Sequence, residues 1–140
     1  VPEVSRELVD SNEFTVEDII KIGIAQTQRV FDKTKTANRI LFCDSDLITT
    51  QIYSRHYLKE VPPILFKLEK QIIYDHYFLF DIDVTWVNDG LRDLGERRKE
   101  MFEVFKAELE ARKIPYILVK GNFEERTSFV KKELTKILNL

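Results

Sequence analysis

The chain has 140 residues, 44% of them hydrophobic and 33% charged, which suits one domain with a buried core and excludes wholesale disorder. Its formal net charge of -2 supplies no electrostatic footprint for nucleic acid, and the densest basic group, Arg97-Arg98-Lys99, is flanked by Glu96 and Glu100. The lone Cys43 excludes a disulfide framework and points to a reducing compartment. No apolar run is long enough to span a bilayer, so a cytoplasmic, membrane-free location is expected.

The start, Val1-Pro2-Glu3-Val4, lacks the regions of a signal peptide and an initiating Met, so the chain is expected to begin inside a larger protein. Thr15 with Asp18 three positions on predicts a capped helix running to about Lys33, with Val16, Ile20, Ile24, Gln28 and Phe31 on one line. Arg39 to Cys43 reads as a short buried strand ending at Asp44, with Cys43 in core packing. A helix over Leu47 to Leu58 follows, then a third opened by Pro62-Pro63 and ending near Tyr74. Tyr77 to Ile82 is a second buried strand, and Val87 to Gly95 a loop rich in Gly, Asn and Asp. A charged helix spans about Glu96 to Arg112, with Met101, Phe102, Phe105 and Leu109 as its buried stripe. Ile114 to Val119 forms the last strand, Gly121-Asn122 turns, and Phe123 to Leu138 is the closing helix. Strands alternating with helices predict an α/β fold, a three-layer and mostly parallel sheet with helices on both faces.

Such sheets bind ligands at the carboxyl edge of their strands. Asp44-Ser45-Asp46 lies at one such edge: an acid there holds Mg²⁺, and a second acid accepts a proton from an attacking hydroxyl, or else Asp46 caps the next helix. Thr49 and Thr50 cap that helix or touch a ligand. Gln28 interrupts an apolar line, so its amide either bonds to backbone or reads a polar ring in a cavity; Arg29 beside it faces solvent in the plainer reading. Glu3 and Arg6 bond ribose hydroxyls or form a surface ion pair. The loop Asn88 to Gly95, with Asp89 in it and Arg92, Arg97 and Arg98 on it and after it, suits a lid closing over phosphates or a plain polar turn before a charged helix. Trp86 packs there or stacks on a base. His56 and His76 belong to no metal-ligand spacing, and Ser45 has no nucleophile-elbow context.

Taken in order, Glu3-Val4-Ser5-Arg6-Glu7-Leu8, Gln28-Arg29, Asp44-Ser45-Asp46-Leu47-Ile48-Thr49-Thr50-Gln51 and Trp86-Val87-Asn88-Asp89-Gly90-Leu91-Arg92-Asp93-Leu94-Gly95 resemble the kinase domain of the NadR family over nearly the whole chain. The second and third of these long runs, D-x-D-x-I-T-T-Q and W-V-x-D-G-L-R-x-L-G, are the specific ones. The resemblance implies a P-loop kinase that phosphorylates ribosylnicotinamide with ATP and Mg²⁺, giving nicotinamide mononucleotide for NAD synthesis. It implies Asp44 and Asp46 at Mg²⁺ and the hydroxyl proton. It puts Glu3, Arg6, Gln28, Arg29, Thr49, Thr50, Trp86 and Asp89 around the nucleoside, Arg92 with Arg97 or Arg98 in the lid, and Gly121-Asn122 beside adenine. The departure is that no G-x-x-x-x-G-K-[ST] occurs among the residues around Gly23, Gly90, Gly95 and Gly121. The first strand and its phosphate loop are expected before Val1, the segment alone is expected to be inactive, and the partners implied are a nucleoside, ATP and other domains of a longer chain. A non-catalytic nucleotide-binding or regulatory module, and a kinase for another nucleoside, are the rival readings.

Overall fold

The computed structural model describes residues 1–2, 14–83 and 98–139. The chain divides into two units, Val1–Ile73 and Tyr74–Leu140.

The first unit is built on three helices: α1 (Val16–Thr34), α2 (Leu47–Leu58) and α3 (Pro63–Glu69). Helix α1 starts at Thr15 because both partners of a capping box are present. The Thr15 hydroxyl accepts the Asp18 N–H at 3.1 Å, and the Asp18 carboxylate accepts the Thr15 N–H at 3.0 Å. The Thr15 N–H foremost, with the Thr15 side chain and the charge of Lys21 adding to it, holds the Asp18 carboxyl below its ordinary value. The core joins Ile19 of α1, Leu47 of α2, and Leu65 and Leu68 of α3, with Phe14, Leu58, Val61 and Ile64 packed around them. Gly23 permits this approach, since a Cβ there would stand 2.6 Å from Leu65 Cδ2.

That close approach selects the face of α1 that is buried: Ile19, Ile22, Gly23, Gln26, Thr27 and Val30. The line Val16, Ile20, Ile24, Gln28, Phe31 therefore does not face the core. Ile24 is 47% and Phe31 38% exposed, and Gln28 is exposed as well. The spacing of the line is helical, as read from the sequence, but α1 carries two apolar stripes, and the one containing glycine packs. Gln51 of α2, 1% exposed, ties that helix to α3 by donating to Leu65 O at 3.4 Å and to a Glu69 carboxylate oxygen at 2.7 Å. Buried Ser54 does similar work on Glu60 O at 2.6 Å.

Two expectations in this unit need correction. Residues 39–43 do not form an assigned strand: Phe42 is 56% exposed and Cys43 half-buried rather than in the core. A strand exists by its ladder; what this run shows is a meeting with Val1, whose amino group donates to Phe42 O and whose carbonyl accepts the N–H of the next residue, Asp44, at 2.8 Å. Helix α3 also stops earlier than Tyr74. Lys70 and Gln71 both turn back their N–H groups onto Leu68 O, which closes the helix at Glu69.

The second unit holds β1 (Tyr77–Phe80), α4 (Arg98–Ala111), β2 (Tyr116–Val119) and α5 (Phe123–Leu138). β1 and β2 pair in parallel, with Tyr77 opposite Tyr116 and Phe80 opposite Val119, and the Asp81 N–H extends the ladder to Val119 O at 2.8 Å. This is the parallel α/β arrangement expected, represented by two strands among the described residues. Helix α4 buries Met101 and Leu109, while Phe102 and Phe105 are half-buried. Helix α5 packs on β2. It starts at Asn122, which accepts the Glu125 N–H at 2.9 Å and donates its own N–H to Glu125 at 3.2 Å. No helix among the described residues is long and apolar enough to cross a membrane.

Candidate functional site

Asp44, Asp46, Thr49 and Thr50 come together at the head of α2. Ser45 between the two acids has φ 72, a left-handed conformation costly for a residue with a Cβ, and it turns the chain sharply there. Asp46 is buried and serves as N-cap: one carboxylate oxygen accepts the Thr49 N–H at 3.0 Å and the Thr49 hydroxyl at 3.1 Å. The Thr50 hydroxyl donates to Asp46 O at 3.3 Å. Asp44 is exposed. The capping alternative for Asp46, Thr49 and Thr50 is thus realised, and it leaves Asp44 as the carboxylate presented to solvent.

The donors of this turn are all hard oxygens, from carboxylate and hydroxyl. That is the chemistry Mg²⁺ takes, commonly with only one or two carboxylates and the rest water and phosphate. Among the described residues no group of three or more His, Cys, Asp or Glu could hold a metal ion by itself. Two acids such as these would need phosphate oxygens and water to complete a Mg²⁺ shell.

Gln28 departs from its expected role as a pocket residue. Its amide donates to an Asp32 carboxylate oxygen at 2.9 Å along the exposed face of α1. Arg29 is half-buried on the same helix. Arg98, the first residue of α4, is half-buried. Glu3, Arg6, Trp86, Asp89, Arg92 and Arg97 lie outside the described residues.

Gly121 and Asn122 form the turn expected after the last strand, and the structure adds three residues to it. Beyond β1, Asp83 accepts the Gly121 N–H at 2.6 Å. From the first turn of α5, Arg126 donates through Nε to Gly121 O at 2.7 Å and through Nη2 to Asp81 O at 2.9 Å, and it pairs with Asp83. The Gly121 N–H, with further help from Arg126, holds the Asp83 carboxyl below its ordinary value against the opposing effect of burial. Asp81 turns its carboxylate onto the Ile82 N–H at 2.7 Å. The rule that picked out Asp44, an acid at the tip of an apolar strand, applies equally to Asp81 and Asp83 and would have found them. Nothing local marks Arg126.

A family model described as AAA domain matches residues 1–126. The chain belongs to that family, and its fold is the P-loop type of α/β domain. Two relatives carry the name trifunctional NAD biosynthesis/regulator protein NadR. The one from Escherichia coli (strain K12) is 32% identical over 104 residues, covering 73% of this chain and 25% of the relative. The one from Salmonella typhimurium (strain LT2) is 30% identical over 105 residues, covering 74% of this chain and 26% of the relative. The NadR-like assignment drawn from the motifs holds on these matches, and the chain spans about a quarter of the length of the relatives it matches.

Proposed function

We propose that this domain transfers the γ-phosphoryl group of ATP to the 5′-hydroxyl of ribosylnicotinamide, giving nicotinamide mononucleotide, in the cytoplasm and as part of a longer protein. The observation that carries the reading is the Asp44-Ser45-Asp46 turn, two acids on a strained bend at the head of α2, in a chain of the NadR-like P-loop class. The hydroxyl oxygen attacks the γ-phosphorus, the bond to the ADP oxygen breaks, and the hydroxyl proton passes to a carboxylate. Asp44, exposed, is that acceptor; Asp46 fixes the turn through its bonds to Thr49. Asp44 and Asp46 would hold Mg²⁺, which when bound neutralises charge developing on the phosphoryl oxygens. Arg92 with Arg97 or Arg98 closes on the phosphates, and Glu3, Arg6, Trp86 and Asp89 surround the nucleoside in this reading. Gln28, bonded outward to Asp32, is left out of it.

The test is an assay of the whole protein that carries this domain, with ATP, Mg²⁺ and ribosylnicotinamide, following mononucleotide formation, and with other nucleosides in parallel. Preferred turnover of ribosylnicotinamide supports the reading. Preferred turnover of another nucleoside moves the substrate, and ATP binding without transfer to any of them replaces the kinase by a non-catalytic nucleotide-binding module.

A further inference from the structure

Gly121 is gripped on both sides by side chains from other elements. Its N–H goes to Asp83 at 2.6 Å and its C=O to Arg126 at 2.7 Å, so neither backbone group is left to solvent. Its φ of +102 is a conformation for glycine, and a Cβ there would stand 2.8 Å from Glu125 Cβ. The Arg126 side chain is only 17% exposed; besides its bonds, its guanidinium carbon lies 5.6 Å from the centroid of the Phe80 ring, and that residue is 55% exposed. The grip lies where two parallel strands end, the edge of an α/β sheet at which ligands bind. The shape of this turn is therefore imposed by Asp83 and Arg126 before any ligand arrives, and a turn already ordered spares a ligand the cost of ordering it.

We infer that Asp83 and Arg126 are positioning residues that preset the Gly121-Asn122 turn for the base of the phosphate donor, a purine nucleoside triphosphate. The inference rests on the kinase reading. Neither side chain needs to touch the nucleotide; each acts through the Gly121 backbone. Removing the guanidinium strips a donor from Gly121 O and from Asp81 O together and loosens the turn.

The experiment compares the whole wild-type protein with Arg126→Met, Arg126→Lys, Asp83→Asn and, as a control, Glu110→Gln, which alters the Tyr116–Glu110 hydrogen bond elsewhere in the same unit. KM for ATP, KM for the nucleoside, kcat and Tm are measured for each. Arg126→Met is expected to raise KM for ATP about tenfold, the size of one lost charge-assisted contact. Asp83→Asn should raise it less, Arg126→Lys should recover part of the loss, and the nucleoside KM and the control should stay at wild-type values. An unchanged KM for ATP overturns the inference, as does an equal rise for both substrates accompanied by a fall in Tm, which marks a structural role only. If Arg126→Met does not fold, Asp83→Asn carries the same comparison. If the wild-type protein phosphorylates no nucleoside, the kinase reading fails on its own, and ATP titration by calorimetry then decides. A tenfold weaker affinity in Arg126→Met supports the positioning role; equal affinities, or no ATP binding by wild type, overturn it.

Discussion

Asp46 and Thr49 are joined twice, by the Thr49 N–H at 3.0 Å and its hydroxyl at 3.1 Å on one carboxylate oxygen. The acid that a sequence motif places in the catalytic centre is thus also the residue that starts α2, and the two jobs separate by substitution.

Asp46→Ala should cost about 1 kcal/mol of stability, the usual worth of an N-cap, together with activity. Asp44→Asn should leave stability within about 0.5 kcal/mol, since Asp44 is exposed, and lower turnover roughly a hundredfold. Urea denaturation beside a turnover assay reads both. Equal stability losses in the two variants would contradict the division of roles, and full activity in Asp44→Asn would remove it from the mechanism.

Packing at the first unit turns on Gly23. A methyl group there meets Leu65 Cδ2 at 2.6 Å and both Leu47 Cδ1 and Leu68 Cδ1 at 3.4 Å. Gly23→Ala gains helix propensity of about 1 kcal/mol but overpacks a core by about 1–3 kcal/mol. Net destabilisation is expected, and Leu65→Ala, costly by itself, should cost less in the Gly23→Ala background than in wild type. A stabilised single variant would show that the helices shift apart freely.

Much of this architecture is legible in the residues because its boundaries are chemical. Thr15 with Asp18, Asp46 before Leu47, and Asn122 with Glu125 each close a cap, and the helices begin where those residues stand. The parallel strands also read through, since Tyr77–Phe80 and Tyr116–Val119 lie inside the apolar runs Tyr77 to Ile82 and Ile114 to Val119, though each strand is shorter than its run. What misleads is a choice among equals. Helix α1 has two apolar stripes, and only the glycine in one decides which packs; the periodicity of Ile20, Ile24, Gln28 and Phe31 contains no such information. The run 39–43 looks like a strand in composition, but pairing is a property of two segments. The motif around Asp44 mixes functions as well, since Gln51 at its end is a buried tie to α3. Arg126 reaches Asp81 across 45 positions, a relation that no local pattern records.

The Asp83 grip should open in acid. Its carboxyl titrates below the ordinary value of 3.8 in the folded chain, held there first by the Gly121 N–H. A group with a depressed folded value contributes its stability fully above 3.8 and loses it as pH falls through the lower folded value. Stability of wild type minus that of Asp83→Asn should therefore be flat near neutrality and shrink on acidification below about pH 4. Asp18, held low by Thr15, contributes the same sign independently, so Asp83→Asn should leave part of the acid dependence in place. A difference that grows toward acid would contradict the bond to Gly121.

Gly121→Ala tests the turn at its most constrained atom. The φ of +102 lies outside what an L side chain adopts comfortably, and the new methyl group would meet Glu125 Cβ at 2.8 Å, with Glu125 Cδ at 3.2 Å. Glu125 cannot simply swing away, because its carboxylate accepts the Asn122 N–H at 3.2 Å and completes the cap of α5. Relief must come either from rotating the backbone, which takes the Gly121 N–H off Asp83 and its C=O off Arg126, or from giving up the capping box. Either route costs about 1–3 kcal/mol, by backbone strain or by a lost cap and bond. Thermal denaturation should register that loss, and ATP titration should show weaker binding in the same variant. The companion substitution Glu125→Gly removes the Cβ clash and the cap together, so Gly121→Ala with Glu125→Gly isolates the φ strain. If the double variant returns to the stability of Glu125→Gly alone, the clash dominates; if it stays lower, the left-handed backbone at Gly121 is itself the constraint. A single Gly121→Ala variant as stable as wild type, with its ATP affinity unchanged, would contradict the account of this turn.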